Sequence, residues 1–454
     1  MVPTDDATLT RALDYADRWL AYRCWRLRIP GVQAAVRVGG ALALDAAHGV
    51  ADATTGEQLT VQHRFRIASH SKSLAALTVM RLVEQGRLRL DDAAAEHVPA
   101  LRGTEAGDLL VRELLSHGSG AVRDGDDVAF WHLQAPFPDA DALLAILAAG
   151  VTRVPANTEF KYSNIGYGLL ALVIEAASGA PYGDALRQLV LSPLGLHEVA
   201  ADLTDDDAGR LVTGHTALHS RDERDVLGSP RAGALAAATG AIATAAELTD
   251  VLRAVTDDDE RLLGAATKRR MRQQQWSTTA RDGGSAGYAL GLMLRSIDGR
   301  EWLGHGGAWT GQATRTLVDA ERDIVVSVFA NAIDAPSEEL AVGVARIIDA
   351  ALAEPDAASD DALRRARSFQ GTFASLWARV DVVELGGRLL VISPTAADPL
   401  AAVDVLEPLD DDRVRIRAAT GMGSGHEVAV AERDADGRVV RWRGAMHLDV
   451  VEPR

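Results

Sequence analysis

The sequence is short of cysteine, lysine and long hydrophobic runs. Its 454 residues contain one cysteine, Cys24, so a disulfide within the chain and a cysteine-based zinc site are both excluded. Lysine occurs only at Lys72, Lys161 and Lys268, against 44 arginines, so each lysine that is present draws attention. No run of 18 uncharged apolar residues occurs, and the sequence therefore predicts no membrane-spanning helix.

Positive charge is outnumbered, since 47 basic residues stand against 64 acidic ones and the formal net charge is −17. A surface of this sign repels nucleic acid and anionic membranes, so neither is an expected partner. Residues 1–20 carry four aspartates where a secretory signal would need an apolar core. We therefore expect a cytoplasmic protein.

The overall composition is that of an ordinary globular protein, with 47% apolar and 24% charged residues. Segments 32–38 and 41–44, joined by Gly39-Gly40, predict a hairpin, and residues 288–296 predict one strand. Residues 70–85 are apolar on nearly every helical face and predict a buried central helix. Strands at both ends with helices between them predict an α+β domain, an antiparallel sheet flanked by helices with a helical insertion at about 90–280.

Beyond this region the apolar period changes. Residues 355–366 are predicted to be a linker, because the run 355–361 is rich in Pro, Ala, Ser and Asp. After it, apolar residues alternate with polar ones in short runs separated by turn signals such as Gly386-Gly387. The sequence therefore predicts a domain over 1–354 and a second, all-β domain over 367–454, a small antiparallel sandwich or barrel.

The first candidate for chemistry is Ser69-His70-Ser71-Lys72, an S-x-x-K motif at the start of the buried helix. Residues three apart share a helix face, so the amine of Lys72 can reach the hydroxyl of Ser69. Burial lowers the pKa of a lysine, and a neutral amine can take the serine proton. The alternative is that Ser69 caps the helix and Lys72 lies on the surface, which the surrounding apolar run disfavours.

Two later segments could complete such a site. In Tyr162-Ser163-Asn164 the phenol can relay a proton and the carboxamide can hold a lysine and a substrate amide, although Asn164 could equally be a helix cap. In His305-Gly306-Gly307 the glycines allow a ligand or another backbone to approach a strand, although the segment could equally be a bulge with a buried histidine.

Together the three segments resemble the serine β-lactamase and penicillin-binding-protein superfamily, whose S-x-x-K motif carries an acylated serine. The resemblance is closest to the class C β-lactamase-like branch, which includes D-aminopeptidases, D-amino-acid amidases and esterases. It covers about residues 10–352, with separations of 93 residues from Ser69 to Tyr162 and 143 from Tyr162 to His305. Other segments typical of the family lie in order along the chain: 65–72, 114–120, 162–168, 192–196 and 330–331.

The resemblance implies roles for the residues at the matching positions. Ser69 would be the nucleophile, with Lys72 and Tyr162 sharing general base and acid duties. Asn164 would orient Lys72 and the substrate, and His305 would polarise the Tyr162 side of the site and help to bind substrate. The oxyanion hole would be formed at the third motif, by Gly307 and the backbone N–H of Ala308, together with the N–H of Ser69. His117 belongs to a segment that is usually structural.

The resemblance also bears on substrate and architecture. A lysine in place of His305 would be more typical of a β-lactamase, because it would supply a fixed cation. We therefore expect a serine hydrolase acting on a small amide, D-amino-acid peptide or ester. The alternatives are an acyltransferase or β-lactamase using the same site, or a non-catalytic penicillin-binding or sensor protein. Residues 367–454 resemble the lipocalin-like barrel of some peptidases of this branch, and Phe369–Phe373 opens as such modules do.

Few partners follow from this assignment. The expected partner is a small-molecule or short-peptide substrate, and a homo-oligomer is possible. The mechanism that the resemblance implies needs no cofactor and no metal, and the sequence shows no metal-ligand spacing.

Overall fold

A computed structural model describes residues 7–207, 209–219, 221–280, 283–353, 360–417 and 423–452. The chain divides into two compact units, which we describe separately. The first consists essentially of Ile29–Glu338, and the second combines the described parts of 3–28 and 339–454. The predicted linker falls in part on residues 355–359, which lie outside the described residues, so the predicted domain boundaries stay a prediction.

The α-helices of the described residues are numbered in chain order. They are α1 (Ala7–Arg26), α2 (Ser71–Glu84), α3 (Ala94–His97), α4 (Glu105–Asp108), α5 (Val111–Ser116), α6 (Ala140–Ala148), α7 (Asn164–Ser178), α8 (Tyr182–Leu186), α9 (Ser192–Leu194), α10 (Ala245–Arg253), α11 (Ala265–Arg272), α12 (Ser337–Leu352) and α13 (Asp360–Arg367). Short 3₁₀ segments occur at Ala68–His70, Pro99–Leu101, Ala129–His132, Asp205–Asp207 and Gly233–Leu235, and π-helical turns at Arg187–Leu191 and Ala236–Gly240.

The first unit is built on an antiparallel sheet in the order β3-β2-β1-β13-β12-β11-β10-β9-β8, with two small strand pairs, β4–β7 and β5–β6, beside it. Its strands are β1 (Gly31–Val38), β2 (Ala41–Asp52), β3 (Glu57–Gln58), β4 (Phe65–Arg66), β5 (Gly214–His215), β6 (Val226–Leu227), β7 (Ile242–Ala243), β8 (Trp276–Thr279), β9 (Ser285–Tyr288), β10 (Met293–Ile297), β11 (Arg300–Trp309), β12 (Gln312–Asp319) and β13 (Ile324–Ala330). The sheet is thus closed by segments from both ends of the unit, and the helices from α2 to α11 are inserted between them, which confirms the predicted α+β fold.

Local sequence explains most of these elements. Gly39 and Gly40 both have positive φ, 54° and 83°, which the tight β1–β2 hairpin turn requires. Helix α7 ends at Gly179, whose φ of 71° is left-handed. Helix α2 lies in the centre of the core, where its residues from Ser71 to Met80 are all buried. The interior position of α2 that its sequence predicts is therefore confirmed.

One predicted strand is divided in the structure. Residues 288–296 form the end of β9 and most of β10, separated by a turn at Gly291. The φ of Gly291 is 71°, and a Cβ there would lie 2.4 Å from the Cβ of Ala76 in α2. The carbonyl of Gly291 also accepts a hydrogen bond from Ser73 at 2.7 Å. The segment is therefore divided by its contact with the buried helix α2. Strand propensity, which depends only on nearby residues, cannot predict this contact.

The second unit contains a closed antiparallel barrel, as the alternating pattern predicts. Among the described residues its strands are β14 (Gly371–Ala374), β15 (Arg379–Leu385), β16 (Arg388–Ile392), β17 (Asp404–Pro408), β18 (Arg413–Arg417), β19 (Val428–Arg433), β20 (Val439–Gly444) and β21 (Leu448–Val450). Pairing of Phe373 with Val450 joins β14 to β21. The barrel core is centred on the fully buried Trp442, whose ring stacks on Phe369 at 5.6 Å.

No single helix in the described ranges is long and apolar enough to cross a membrane. Helix α7 and the segment Tyr182–Leu194 meet the length and composition criterion only as a pair, bent by 70°.

Candidate active site

Ser69 lies in a constrained turn ahead of the central helix. It is the middle residue of the 3₁₀ turn Ala68–His70, and α2 begins two residues later, so Ser69 precedes the α-helix instead of opening it. Ala68 has a φ of 47°, a left-handed conformation that costs a non-glycine residue about 1–3 kcal/mol. The turn is held by hydrogen bonds from Ile67 N to Ala241 O and from Ser71 Oγ to Ala68 O. This strained turn leaves Ser69 partly exposed among buried neighbours.

Lys72 is fully buried one turn after Ser69. Its Nζ lies 3.3 Å from Ser69 Oγ and 2.7 Å from both Asn164 Oδ1 and Ala238 O. Burial is the main reason that the pKa of Lys72 lies well below 10.5, while the charge of Asp124 raises it and that of Arg123 lowers it. A neutral amine has two N–H donors and one lone pair. In that form the two carbonyl oxygens use both donors, and the lone pair faces Ser69.

Tyr162 reaches the serine from the other side. Its hydroxyl donates to Ser69 Oγ at 2.8 Å, and Lys72 Nζ lies 4.6 Å from the centre of its ring. Burial raises the pKa of the Tyr162 phenol, so the group is protonated at neutral pH. The phenol therefore stands ready to donate a proton, and the amine of Lys72 to accept one.

Asn164 links the central helix to α7. It is the first residue of α7, but the N-cap is Ser163, whose Oγ accepts from Gly166 N at 2.8 Å. The carboxamide of Asn164 is therefore not used for capping. Its Oδ1 holds Lys72, and its Nδ2 donates to Asp124 Oδ1 at 2.6 Å.

The third motif brings β11 against the serine turn. A Cβ on Gly307 would lie 2.2 Å from Ile67 O, so only glycine allows this approach. Strand β10 pairs with β11 only as far as Gly304, which leaves the later residues with one open edge. The two-residue turn after Trp309 makes Trp309 and Gln312 a hydrogen-bonded pair. Since bonded and non-bonded pairs alternate, the N–H of Ala308 points to the open edge, where an oxyanion could be stabilised.

His305 does not contact Tyr162 directly among the described residues. Its Nε2 lies 3.1 Å from the hydroxyl of Tyr288, and its Nδ1 lies 2.7 Å from Gly306 O and 3.0 Å from Gly306 N. Burial chiefly, with the nearby His70 and Lys72, keeps the pKa of His305 well below 6.5, so the imidazole is neutral. The two side chains are instead connected by successive contacts, from His305 to Tyr288, from Tyr288 to His117 and from His117 to Tyr162. The rings of Tyr288 and His117 lie 4.8 Å apart.

The structure adds residues that the sequence did not single out. The sequence predicts a structural role for the buried His117, but its ring packs against that of Tyr162, with centres 4.1 Å apart and planes tilted by 36°, and its Nδ1 accepts from Ser163 N at 3.1 Å. Its position in the segment 114–120 was the available signal. Asp124 and Tyr288 had no signal, because the contacts that bring them to the site, with Asn164 and His117, join segments distant in sequence. The structure thus gathers Ser69, Lys72, Tyr162 and Asn164, while their catalytic roles stay predictions.

No group of three or more His, Cys, Asp or Glu side chains suited to a metal ion occurs within the described part of the chain.

The family of the chain follows from comparison with known proteins. The family model for beta-lactamase matches residues 14–349. The chain belongs to the beta-lactamase family. It is thereby a member of the β-lactamase and penicillin-binding-protein superfamily of serine hydrolases, and the predicted resemblance is confirmed.

Individual relatives are more distant. Penicillin-binding protein 4 of Amycolatopsis lactamdurans is 34% identical over 180 residues, 37% of this chain and 44% of that protein, so the match spans less than half of the relative. The solved structure of SurE is 28% identical, with a TM-score of 0.62 over 97% of this chain and 99% of SurE, and SurE is also solved with D-Leu at a TM-score of 0.59. A class C β-lactamase shares the fold at 20% identity, with a TM-score of 0.63 over 75% of this chain and 96% of its own.

Proposed function

We propose that this chain is a serine hydrolase that forms an acyl-enzyme on Ser69 and cleaves a small amide, D-amino-acid peptide or ester. The observation that carries the proposal is the position of Ser69 Oγ, 2.8 Å from the hydroxyl of Tyr162 and 3.3 Å from the amine of Lys72. A buried amine whose pKa is lowered and a protonated phenol on one hydroxyl are the pair that acyl transfer needs.

In the proposed acylation, Ser69 Oγ attacks the substrate carbonyl and its proton passes to Lys72 Nζ. The N–H groups of Ser69 and Ala308 stabilise the oxyanion. The bond to the leaving amine or alcohol then breaks, Tyr162 gives that group its proton, and the phenol recovers a proton from the ammonium of Lys72. Water attacks the ester in a second cycle of the same transfers and releases the acid.

Two observations support a D-amino-acid substrate over a β-lactam. SurE, which matches nearly the full chain, has been solved with D-Leu. His305, at the position where a β-lactamase would carry a lysine, is buried and neutral and so supplies no fixed cation for a β-lactam carboxylate.

The test of the nucleophile is intact-mass measurement after treatment with a fluorophosphonate. We expect one adduct on the wild-type chain and none on Ser69→Ala, with Ser192→Ala, an exposed serine at the start of α9, as the control. An adduct that persists in Ser69→Ala, or a wild-type chain that is never labelled, would contradict the proposal and favour a binding or sensor protein.

The substrate is tested with D- and L-aminoacyl p-nitroanilides, p-nitrophenyl esters and nitrocefin. We expect turnover of the D-aminoacyl substrates above that of their L-isomers. Added amine that diverts product from the acid to a new amide would identify an acyltransferase instead. Cytoplasmic location is part of the same proposal, and fractionation of the producing cells tests it.

A further inference from the structure

Asp124 is a buried carboxylate at the edge of the candidate site. It lies in the loop between α5 and α6 and is 7% exposed. Its Oδ1 accepts from Asn164 Nδ2 at 2.6 Å and from Trp131 Nε1 at 3.0 Å, while Arg123 Nε lies 3.0 Å from its Oδ2. The loop is anchored to α7, because Asn164 N and Ile165 N both donate to Arg123 O. The carboxylate is thus held in place from several directions.

The charge of Asp124 decides which way the Asn164 amide faces. An ionised carboxylate only accepts hydrogen bonds, so the Asn164 atom that meets it must be the Nδ2 donor. The carbonyl end of the amide, Oδ1, is thereby turned to Lys72 Nζ at 2.7 Å. If the Asn164 amide were reversed, its N–H would face Lys72. Ala238 O would then be the one carbonyl oxygen left to accept from the Lys72 amine.

We propose that Asp124 is a positioning residue of this site, which acts through Asn164 to aim the amine of Lys72 at Ser69. The inference rests on the proposed function and extends it to a residue that does not itself contact Ser69. It gives the loop after α5 a role in acylation.

The charges around Lys72 determine how this role is measured. Asp124 is the acidic group that raises the pKa of Lys72, whereas Arg123 and burial lower it. The rings of Tyr162 and Tyr167 lie 4.6 Å and 5.5 Å from its Nζ. The nearby His117 and His305 are kept neutral by burial, which lowers the pKa of each. Removal of the Asp124 charge should therefore lower the pKa of Lys72 further.

The experiment follows the rate of Ser69 labelling by a fluorophosphonate, by intact mass, across pH 5 to 9. Asp124→Asn keeps an acceptor oxygen but loses the charge, and Asp124→Leu loses both. For Asp124→Leu we expect labelling about 100-fold slower, the scale on which small misplacements of a reacting group act. For Asp124→Asn we expect a loss of less than about tenfold at high pH, with the acid limb of the profile moved to lower pH.

The matched control is Asp126→Asn, which makes the same change of charge two residues away, where the carboxylate is exposed and pairs with Arg153. It should leave both rate and profile unchanged. An acid limb that stays in place in Asp124→Asn would overturn the inference, even if Asp124→Leu does not fold. A wild-type chain that is not labelled on Ser69 would overturn the proposed function instead, and this inference with it.

Discussion

Replacement of Lys72 by methionine tests the chemistry most directly. Methionine has a similar length and no branch, so it fills the buried space of the lysine without an amine. The amine lies 3.3 Å from Ser69 Oγ, and the Tyr162 phenol cannot replace it as a base because burial raises the pKa of that phenol. General base catalysis contributes about 10²–10⁴-fold. We expect acylation to slow by about 10³-fold, or about 4 kcal/mol at 1.36 kcal/mol per tenfold.

The folded state should survive this change. Lys72→Met leaves Asn164 Oδ1 and Ala238 O without the N–H groups they accept, at about 1–3 kcal/mol each. It also removes a buried amine that costs free energy to desolvate, so the two effects oppose each other. Circular dichroism and denaturant unfolding of the variant check that the loss of rate is chemical.

The pKa shift of Lys72 fixes the direction in which the acylation rate changes with pH. The active form of Lys72 is the neutral amine, so the wild-type rate rises as pH increases through its pKa, which lies well below 10.5. Folding stability contributed by this group changes in the same direction. Between the folded-state pKa and 10.5 the unfolded chain binds the extra proton, so stability rises with pH in that window.

The assay is the rate of Ser69 labelling by a fluorophosphonate, measured by intact mass at several pH values. Lys72→Met should lose both the rate and its rise with pH. A variant that is labelled within tenfold of the wild type, with the same rise, would refute the assignment of Lys72 as the base.

Two further predictions concern the neighbours of Ser69. Tyr162→Phe keeps the ring packed against His117 but loses the hydroxyl 2.8 Å from Ser69 Oγ. Turnover of amides should fall about 100-fold and that of p-nitrophenyl esters less, because the ester leaving groups need no proton. Steady-state turnover of both substrate types is the measurement. If amides and esters lose activity equally, Tyr162 is not the general acid. Gly307→Ala places a Cβ 2.2 Å from Ile67 O, so β11 must move away from the serine turn. Denaturant unfolding should show a loss of about 1–3 kcal/mol, with labelling more than tenfold slower, and labelling at the wild-type rate would contradict the tight approach.

Much of the fold could be predicted because its signals are local. The Gly39-Gly40 turn, the stop of α7 at Gly179 and the alternation in the barrel each depend on residues close in sequence. The strand predicted over 288–296 was wrong as one element, because its division at Gly291 comes from contact with α2. Likewise β2 continues to Asp52 past the predicted 41–44, since pairing with β1 extends it to Gly49 and pairing with β3 to Asp52.

The candidate site divides in the same way. Ser69 and Lys72 are three residues apart, so a turn of helix is enough to bring them together. Tyr162, Asn164 and His305 were candidates from their own segments, and the resemblance joined them into one site. The contact that His305 makes with Tyr288 could be predicted from neither. No pattern in the sequence distinguishes Asp124 from other loop aspartates, because its partners are set by the packing of its loop on α7.

By itself, the sequence determined which reactive groups exist and that two of them, three residues apart, meet where an apolar helix begins. Only the tertiary structure decided how the pKa values of those groups shift, because a pKa depends on the removal of water and on charges brought near in space. The oxygens that hold Lys72 come from residues 92 and 166 positions further along the chain. Until the fold places them around it, the amine is an ordinary cation in water and Ser69 an ordinary alcohol.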